Sequence, residues 1–176
     1  QKLVNDNIKT VFDRMFEISS IGFRPKHSRE DARKMIKQAV ANGYKYVLES
    51  DVELFFDQIN WEILIEKLEN CLPVADCLTK NLLIQSIKQP LVISNKSITR
   101  KQGLLQGSPL SPILANLYLD SFDEEITELG FKLIRYGDDF LVMARNNQEA
   151  EQALVAVQKS LAQLKLSINR DKTEIT

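Results

Sequence analysis

Residues 133–143 read Leu133-Ile134-Arg135-Tyr136-Gly137-Asp138-Asp139-Phe140-Leu141-Val142-Met143, two runs of β-favouring residues broken by a tight turn with two adjacent carboxylates. Gly137-Asp138 is a favoured hairpin dipeptide because both residue types tolerate positive φ. Burying such a hairpin is unfavourable when its tip carries two carboxylates, unless a cation sits beside them. A hard divalent ion, which takes oxygen ligands and bridges carboxylates to phosphates, fits that need. The plain alternative is a polar turn without chemistry, since Asp is a common turn former.

At 176 residues the chain has the size of one domain, and its 44% apolar and 27% charged content is ordinary for a globular protein. No apolar run has the length of a membrane span, and the N-terminus lacks a signal-peptide pattern. The chain starts without Met inside a helical pattern, which reads as a fragment of a longer protein. Cys71 and Cys77, with the single histidine His27, do not supply the four soft ligands of a structural zinc and read as reduced thiols of an intracellular protein. His27 has no acid or base partner nearby in sequence and is assigned no catalytic role. The net charge of −1 conceals an uneven distribution. Residues 1–50 hold ten Lys or Arg against six Asp or Glu, and residues 51–140 hold eight against fourteen. A basic segment beside an acidic one fits a phosphate-binding surface next to a metal-binding one, although a solvated helix face also explains Arg33, Lys34 and Lys37.

Helical spacing of Val4, Ile8, Val11, Phe12, Met15 and Phe16 predicts a helix over 3–18. Ser28 reads as the N-cap of a second helix that ends near Asn42-Gly43. Residues 44–52 read as a strand, Asn60 caps a third helix, and Pro73 opens a fourth. Leu91-Val92-Ile93 and Ser97-Ile98-Thr99, around Asn95-Lys96, suggest a hairpin. A loop at 103–111 rich in Gly, Ser and Pro feeds a long helix over 112–129, and a further helix covers 148–164, followed by a loop with a strand over 166–175. The irregular alternation of helix and strand predicts an α+β domain, an antiparallel sheet covered by helices on one face.

A second acidic position, Asp51, ends the strand at 44–52. If that strand lies beside the 133–143 hairpin, Asp51, Asp138 and Asp139 converge. Three close carboxylates do not all remain ionised without cations between them. Two Mg²⁺ ions roughly 3.5–4 Å apart answer that problem and suit phosphoryl transfer.

Three segments carry a family resemblance. Glu49-Ser50-Asp51-Val52-Glu53-Leu54-Phe55-Phe56-Asp57, then Gln106-Gly107-Ser108-Pro109-Leu110-Ser111-Pro112-Ile113-Leu114-Ala115-Asn116-Leu117-Tyr118-Leu119, then Tyr136-Gly137-Asp138-Asp139 resemble motifs A, B and C of reverse transcriptases in order and spacing. Gly22-Phe23-Arg24-Pro25 resembles the block upstream of motif A in the group II intron-like branch, and residues 164–176, with Asn169 and Lys172-Thr173, resemble motif D. Within that branch, Pro109-Leu110-Ser111-Pro112 and the run Leu117-Tyr118-Leu119-Asp120-Ser121-Phe122-Asp123 look most like the enzymes associated with CRISPR adaptation.

The resemblance implies a right-hand polymerase palm with part of the fingers and without the thumb, about 1–43 and 74–105 being fingers-like and about 44–73 and 106–176 palm. It implies RNA-directed DNA synthesis in a bacterial cytoplasm, with an RNA template, a DNA primer and dNTPs as partners, and its CRISPR-associated branch implies integrase and RNA-processing domains of CRISPR adaptation alongside. Asp51, Asp138 and Asp139 are the implied ligands of two Mg²⁺ ions (Mn²⁺ as a substitute), assisted by the carbonyl of Val52. Phe56 falls at the steric gate that excludes the ribose 2′-hydroxyl, although a core Phe is the ordinary alternative. Gln106 and Gly107 are implied to touch nucleotide and template, and Arg24 and Lys172 to grip the triphosphate, with Lys172 also protonating pyrophosphate. Surface cations explain Arg24 and Lys172 almost as well.

Gly137 replaces the commoner Ala of motif C. A group II intron or retron-type enzyme is the near alternative. An RNA-dependent RNA polymerase shares Gly-Asp-Asp, but has a second Asp where this chain has Phe56 and favours Ser-Gly where this chain has Gln106-Gly107. A non-catalytic polymerase-like scaffold and a carboxylate-metal nuclease are the more distant readings.

Overall fold

The computed structural model describes residues 2–93 and 96–176. In chain order the elements are α1 (Lys2–Asp13), α2 (Arg29–Ala41), β1 (Tyr46–Asp51), α3 (Phe55–Gln58), α4 (Trp61–Cys71), α5 (Cys77–Ile87), β2 (Leu91–Ile93), β3 (Lys96–Ile98), α6 (Ser111–Glu128), β4 (Lys132–Tyr136), β5 (Asp139–Ala144), α7 (Asn147–Gln163) and β6 (Glu174–Ile175), with a 3₁₀ turn at Arg170–Lys172 before β6. The side chain of Val4 and the turn residue Asn95 lie outside the described residues.

Local chemistry sets most boundaries. The Asn60 side chain accepts from the amides of Glu62 and Ile63 at 3.1 and 3.2 Å and starts α4. Asn146 does the same for α7 through Glu149 N at 2.9 Å. The helix expected to open at Pro73 starts later, because Asp76 accepts from Thr79 N at 3.2 Å and supplies the cap. Helix α1 stops at Asp13, short of the 3–18 pattern. Beyond it the chain tightens into turns, Arg14 N donating to Val11 O at 3.3 Å and Met15 N to Phe12 O at 2.9 Å, and Arg24 takes the Asp13 carbonyl that a longer helix would use internally.

Strands β4, β5, β1 and β6 form one antiparallel sheet in that order. Leu48, Leu133, Phe140 and Val142 face a large core shared with α4, α6 and α7. The opposite face presents Val47, Ile134, Leu141 and Met143, which pack with Ile21 and with Ala32, Met35, Ile36 and Ala39 in and near α2. The expectation of helices on one face is therefore corrected. Both parities of β4 and β5 are apolar, so the sheet needs cover on both sides. Helix α6 runs through the larger core, and Tyr118 on it ties three elements together. Its hydroxyl donates to Leu164 O at 2.6 Å and accepts from Asn60 N at 3.2 Å. No helix among the described residues is long and apolar enough to cross a membrane.

Candidate active site

Strand β1 delivers Asp51 at its last position, and β5 begins with Asp139. The register pairs these two directly, Asp51 with Asp139, one step beyond Ser50 with Phe140. Directly opposed residues of an antiparallel pair share a face, so both carboxylates project from the α2 side of the sheet. Asp138 lies in the two-residue turn between Tyr136 and Asp139. Of the turn's two residues only Gly137 has positive φ, at 74°. That is the pattern of a turn with glycine at its first central position. A Cβ there would also lie 3.0 Å from the Phe23 ring, so the Gly137 of this chain suits both its conformation and its neighbour. The Asp138 carbonyl accepts from Val52 N at 3.3 Å, and the Asp51 carbonyl accepts from Asn169 N at 2.9 Å, which stitches the two strand ends to the segment before β6.

Asp51 is 7% exposed, and its Oδ1 is buried with no hydrogen-bond partner among the described residues. Its other oxygen, Oδ2, pairs with the ammonium of Lys172. Partial desolvation, followed by the negative charges of Asp138 and Asp51, pushes the Asp139 carboxyl above the ordinary carboxylate range, against the pull of Lys172. The hydrogen bond and charge of Asp51 raise Lys172 in turn. Among the described residues no three His, Cys, Asp or Glu side chains form a ready metal cage. The present counter-ion is the Lys172 ammonium. The donor set nevertheless fits a hard divalent cation, because it is all oxygen, carries an excess of negative charge and includes the unpartnered Asp51 Oδ1. A cavity of about 300 Å³ opens beside it, with Asp51, Asp139, Lys172 and Tyr136 at one side and Ala32 and Ile36 of α2 at the other.

Phe56 lies on α3, the short helix that follows the left-handed Leu54 (φ 44°). Its half-buried ring meets Phe55 edge-on at 5.6 Å, and its carbonyl accepts from Leu104 N at 2.7 Å. The following loop is anchored at Gly103, whose carbonyl takes Trp61 Nε1 at 2.7 Å and Arg100 Nη1 at 2.9 Å. Gln106 and Gly107 are exposed beyond this anchor, and Gly107 has φ 84° with nothing within 4 Å of a Cβ position. The structure thus couples Phe56 to the Gln106–Gly107 loop through backbone, and leaves that loop open to solvent.

Arg24 is engaged within its own loop. Its side chain is 7% exposed. It donates through Nε to Asp13 Oδ1 at 2.8 Å, through Nη1 to Glu17 O at 2.5 Å and Ser20 O at 2.7 Å, and through Nη2 to Asp13 O at 2.8 Å. A guanidinium so engaged closes a loop. Sequence reasoning also missed a buried pair, Arg135 and Asp123, both essentially inaccessible. The signal was an arginine inside an apolar strand and an aspartate on the apolar stripe of a helix, four residues after Leu119 and three before Ile126.

The sheet, its helical layers and the acidic strand ends define the palm and part of the fingers of a right-hand polymerase. Residues 1–176 match the family described as reverse transcriptase (RNA-dependent DNA polymerase), and the chain belongs to it. It is 30% identical over 135 residues to the group II intron-encoded protein LtrA of Lactococcus lactis subsp. cremoris, covering 77% of this chain and 22% of that protein. It is 22% identical to protein YkfC of Escherichia coli, covering 96% of this chain and 54% of that protein. The chain therefore spans between about a fifth and about half of these relatives' length. Among solved structures, telomerase from Candida albicans in complex with a fragment of telomeric RNA superposes with a TM-score of 0.78 at 15% identity, over 99% of this chain and 34% of that one. Telomerase from Candida tropicalis gives 0.73 at 16% identity, over 98% and 33%.

Proposed function

We propose that the full-length protein carrying this chain is an RNA-directed DNA polymerase, extending a DNA primer from dNTPs on an RNA template with release of pyrophosphate. The observation that carries this reading is the direct pairing of Asp51 with Asp139 beside Asp138, with one Asp51 oxygen buried and unpartnered. Asp51, Asp138, Asp139 and the carbonyl of Val52 would hold the metal ions. Two Mg²⁺ ions, when bound, supply an acidified primer 3′-hydroxyl and neutralise charge on the triphosphate. The chain's own residues do the rest. Lys172 exchanges Asp51 for the triphosphate and, charged at neutral pH as a lysine ammonium ordinarily is, donates to pyrophosphate. Phe56 sits under the sugar and leaves no room for a 2′-hydroxyl, while Gln106 and Gly107 border the nucleotide and template from the exposed loop. Residues 1–43 and 74–105 serve as the fingers side, and residues 44–73 and 106–176 as the palm.

The setting is a group II intron-like enzyme, in line with its intron-encoded relative. A role in CRISPR spacer acquisition rests on the motif resemblance at 109–112 and 117–123, and an integrase domain in the full-length sequence would support it. The test is primer extension on an RNA template with dNTPs or rNTPs. Incorporation of dNTPs that disappears in Asp138→Ala and Asp139→Ala, and acceptance of rNTPs by Phe56→Ala, are expected. Preference of the unaltered enzyme for rNTPs refutes the assignment.

A further inference from the structure

The turn that carries Asp138 and Asp139 is held from beneath by one side chain. Arg135, two residues earlier on β4, is fully buried and points toward α6. Each of its five N–H donors has a partner. Nε donates to Asp123 Oδ1 at 2.7 Å and Nη2 to Asp123 Oδ2 at 2.5 Å. Nη2 also donates to Ser20 Oγ at 2.7 Å, and Nη1 to Asn116 Oδ1 at 3.0 Å and to the carbonyl of Gly137 at 2.7 Å. Asn116 extends the cluster by donating from Nδ2 to Gly22 O at 2.8 Å. The Arg135 backbone joins the same loop, giving N–H to Ser19 O and accepting from Ile21 N, both at 2.8 Å.

We propose that Arg135 is a positioning residue that fixes the Gly137 peptide, and through it the direction in which Asp138 and Asp139 present their carboxylates to the metal ions. This rests on the polymerase reading above. Three features support it. A buried ion pair is on average no more stabilising than an apolar pair of similar volume, so stability alone does not account for Arg135 and Asp123. The pair is electrically neutral, so its influence on the turn is geometric. Finally, outside the strand ladder the turn's other described hydrogen bond, from Val52 N to Asp138 O, is longer at 3.3 Å. Carboxylates that repel one another need such a brace. Only a planar fork reaches the Asp123 carboxylate with one edge and the Gly137 carbonyl with another, a geometry lysine lacks.

The test uses the full-length protein with Arg135→Lys and with the double variant Arg135→Met/Asp123→Leu. Folding is read by circular dichroism, and Mn²⁺ binding without substrates by electron paramagnetic resonance of the free ion. The Mg²⁺ midpoint of primer extension is read alongside. Variants that keep the native spectrum are expected to bind Mn²⁺ about 10–100-fold more weakly, as outer partners of metal ligands do when removed, and to need correspondingly more Mg²⁺. Unchanged Mn²⁺ affinity in a folded variant overturns the inference, as does loss of fold in both, since a positioning role requires the fold to outlast the contact. If the unaltered protein neither binds Mn²⁺ nor incorporates dNTPs, the polymerase reading itself has failed, which is a distinct outcome.

Discussion

Replacing Gly22 with alanine tests how closely the loop before α2 is packed on the acidic turn. A Cβ at Gly22 would stand 2.4 Å from Gly137 N, 2.9 Å from Tyr136 C and 3.2 Å from Tyr136 Cα. These are backbone atoms, so no side chain can rotate away. Carbon contacts relax only beyond roughly 3.5 Å, and the loop and turn must therefore separate by about 1 Å. Overpacking of this kind costs about 1–3 kcal/mol. Gly22 is not among the residues with positive φ. Without the clash, alanine would stabilise the chain by about 0.4–1 kcal/mol through the unfolded state, so the sign of the change isolates the steric effect. A shift of about 1 Å at the turn is also enough to reduce catalysis about 100-fold. Urea unfolding gives the first quantity, and the single-turnover rate of dNTP incorporation per folded molecule gives the second. A Gly22→Ala protein as stable as the original, with an unchanged rate, refutes the packing argument.

Arg24→Ala should lower stability by about 2–3 kcal/mol in urea unfolding, because it strands carbonyls of Asp13, Glu17 and Ser20 in a half-buried loop. The dNTP KM should stay near its original value, and a raised KM with unchanged stability would return Arg24 to the triphosphate. Asp120 is pushed up to about 7, first by burial and then by the charges of Glu124 and Asp123. Its folded pKa exceeds the unfolded value of 3.8, so the native state loses relative stability as pH rises from about 4 toward 7. Asp120→Asn removes that loss. With the side chain partly open to solvent, a gain of about 1 kcal/mol, or about 2–4 °C in Tm at pH 8, is expected, and none at pH 4. An equal gain at both pH values would exclude titration as the cause.

Residues with short-range chemistry were legible before any coordinates. Asn60 and the Gly137 turn each act on backbone groups within four residues, and the strand pairing that brings Asp51 beside Asp139 follows from two apolar runs that need neighbours. The loop-closing contacts of Arg24 were not legible because its partners include carbonyls of a loop whose path emerges only on folding. Arg135 and Asp123 were passed over for a related reason. They lie twelve residues apart on a strand and a helix, and periodicity does not reveal which faces of those elements meet. The second covered face of the sheet escaped because α2 contributes a short stripe, Ala32, Met35, Ile36 and Ala39, of which half is alanine.

The pairing of Asp51 with Asp139 makes chain length itself a functional quantity. Side chains alternate along both strands, so one residue inserted within 46–51 or 139–144 would turn one acid to the opposite face while leaving every local preference intact. Such an insertion could still fold, yet the two carboxylates would be separated by the thickness of the sheet. The chain thus tolerates changes of residue in β1 and β5 far better than changes of count, and deletion scanning across these strands should show a sharper functional boundary than substitution scanning.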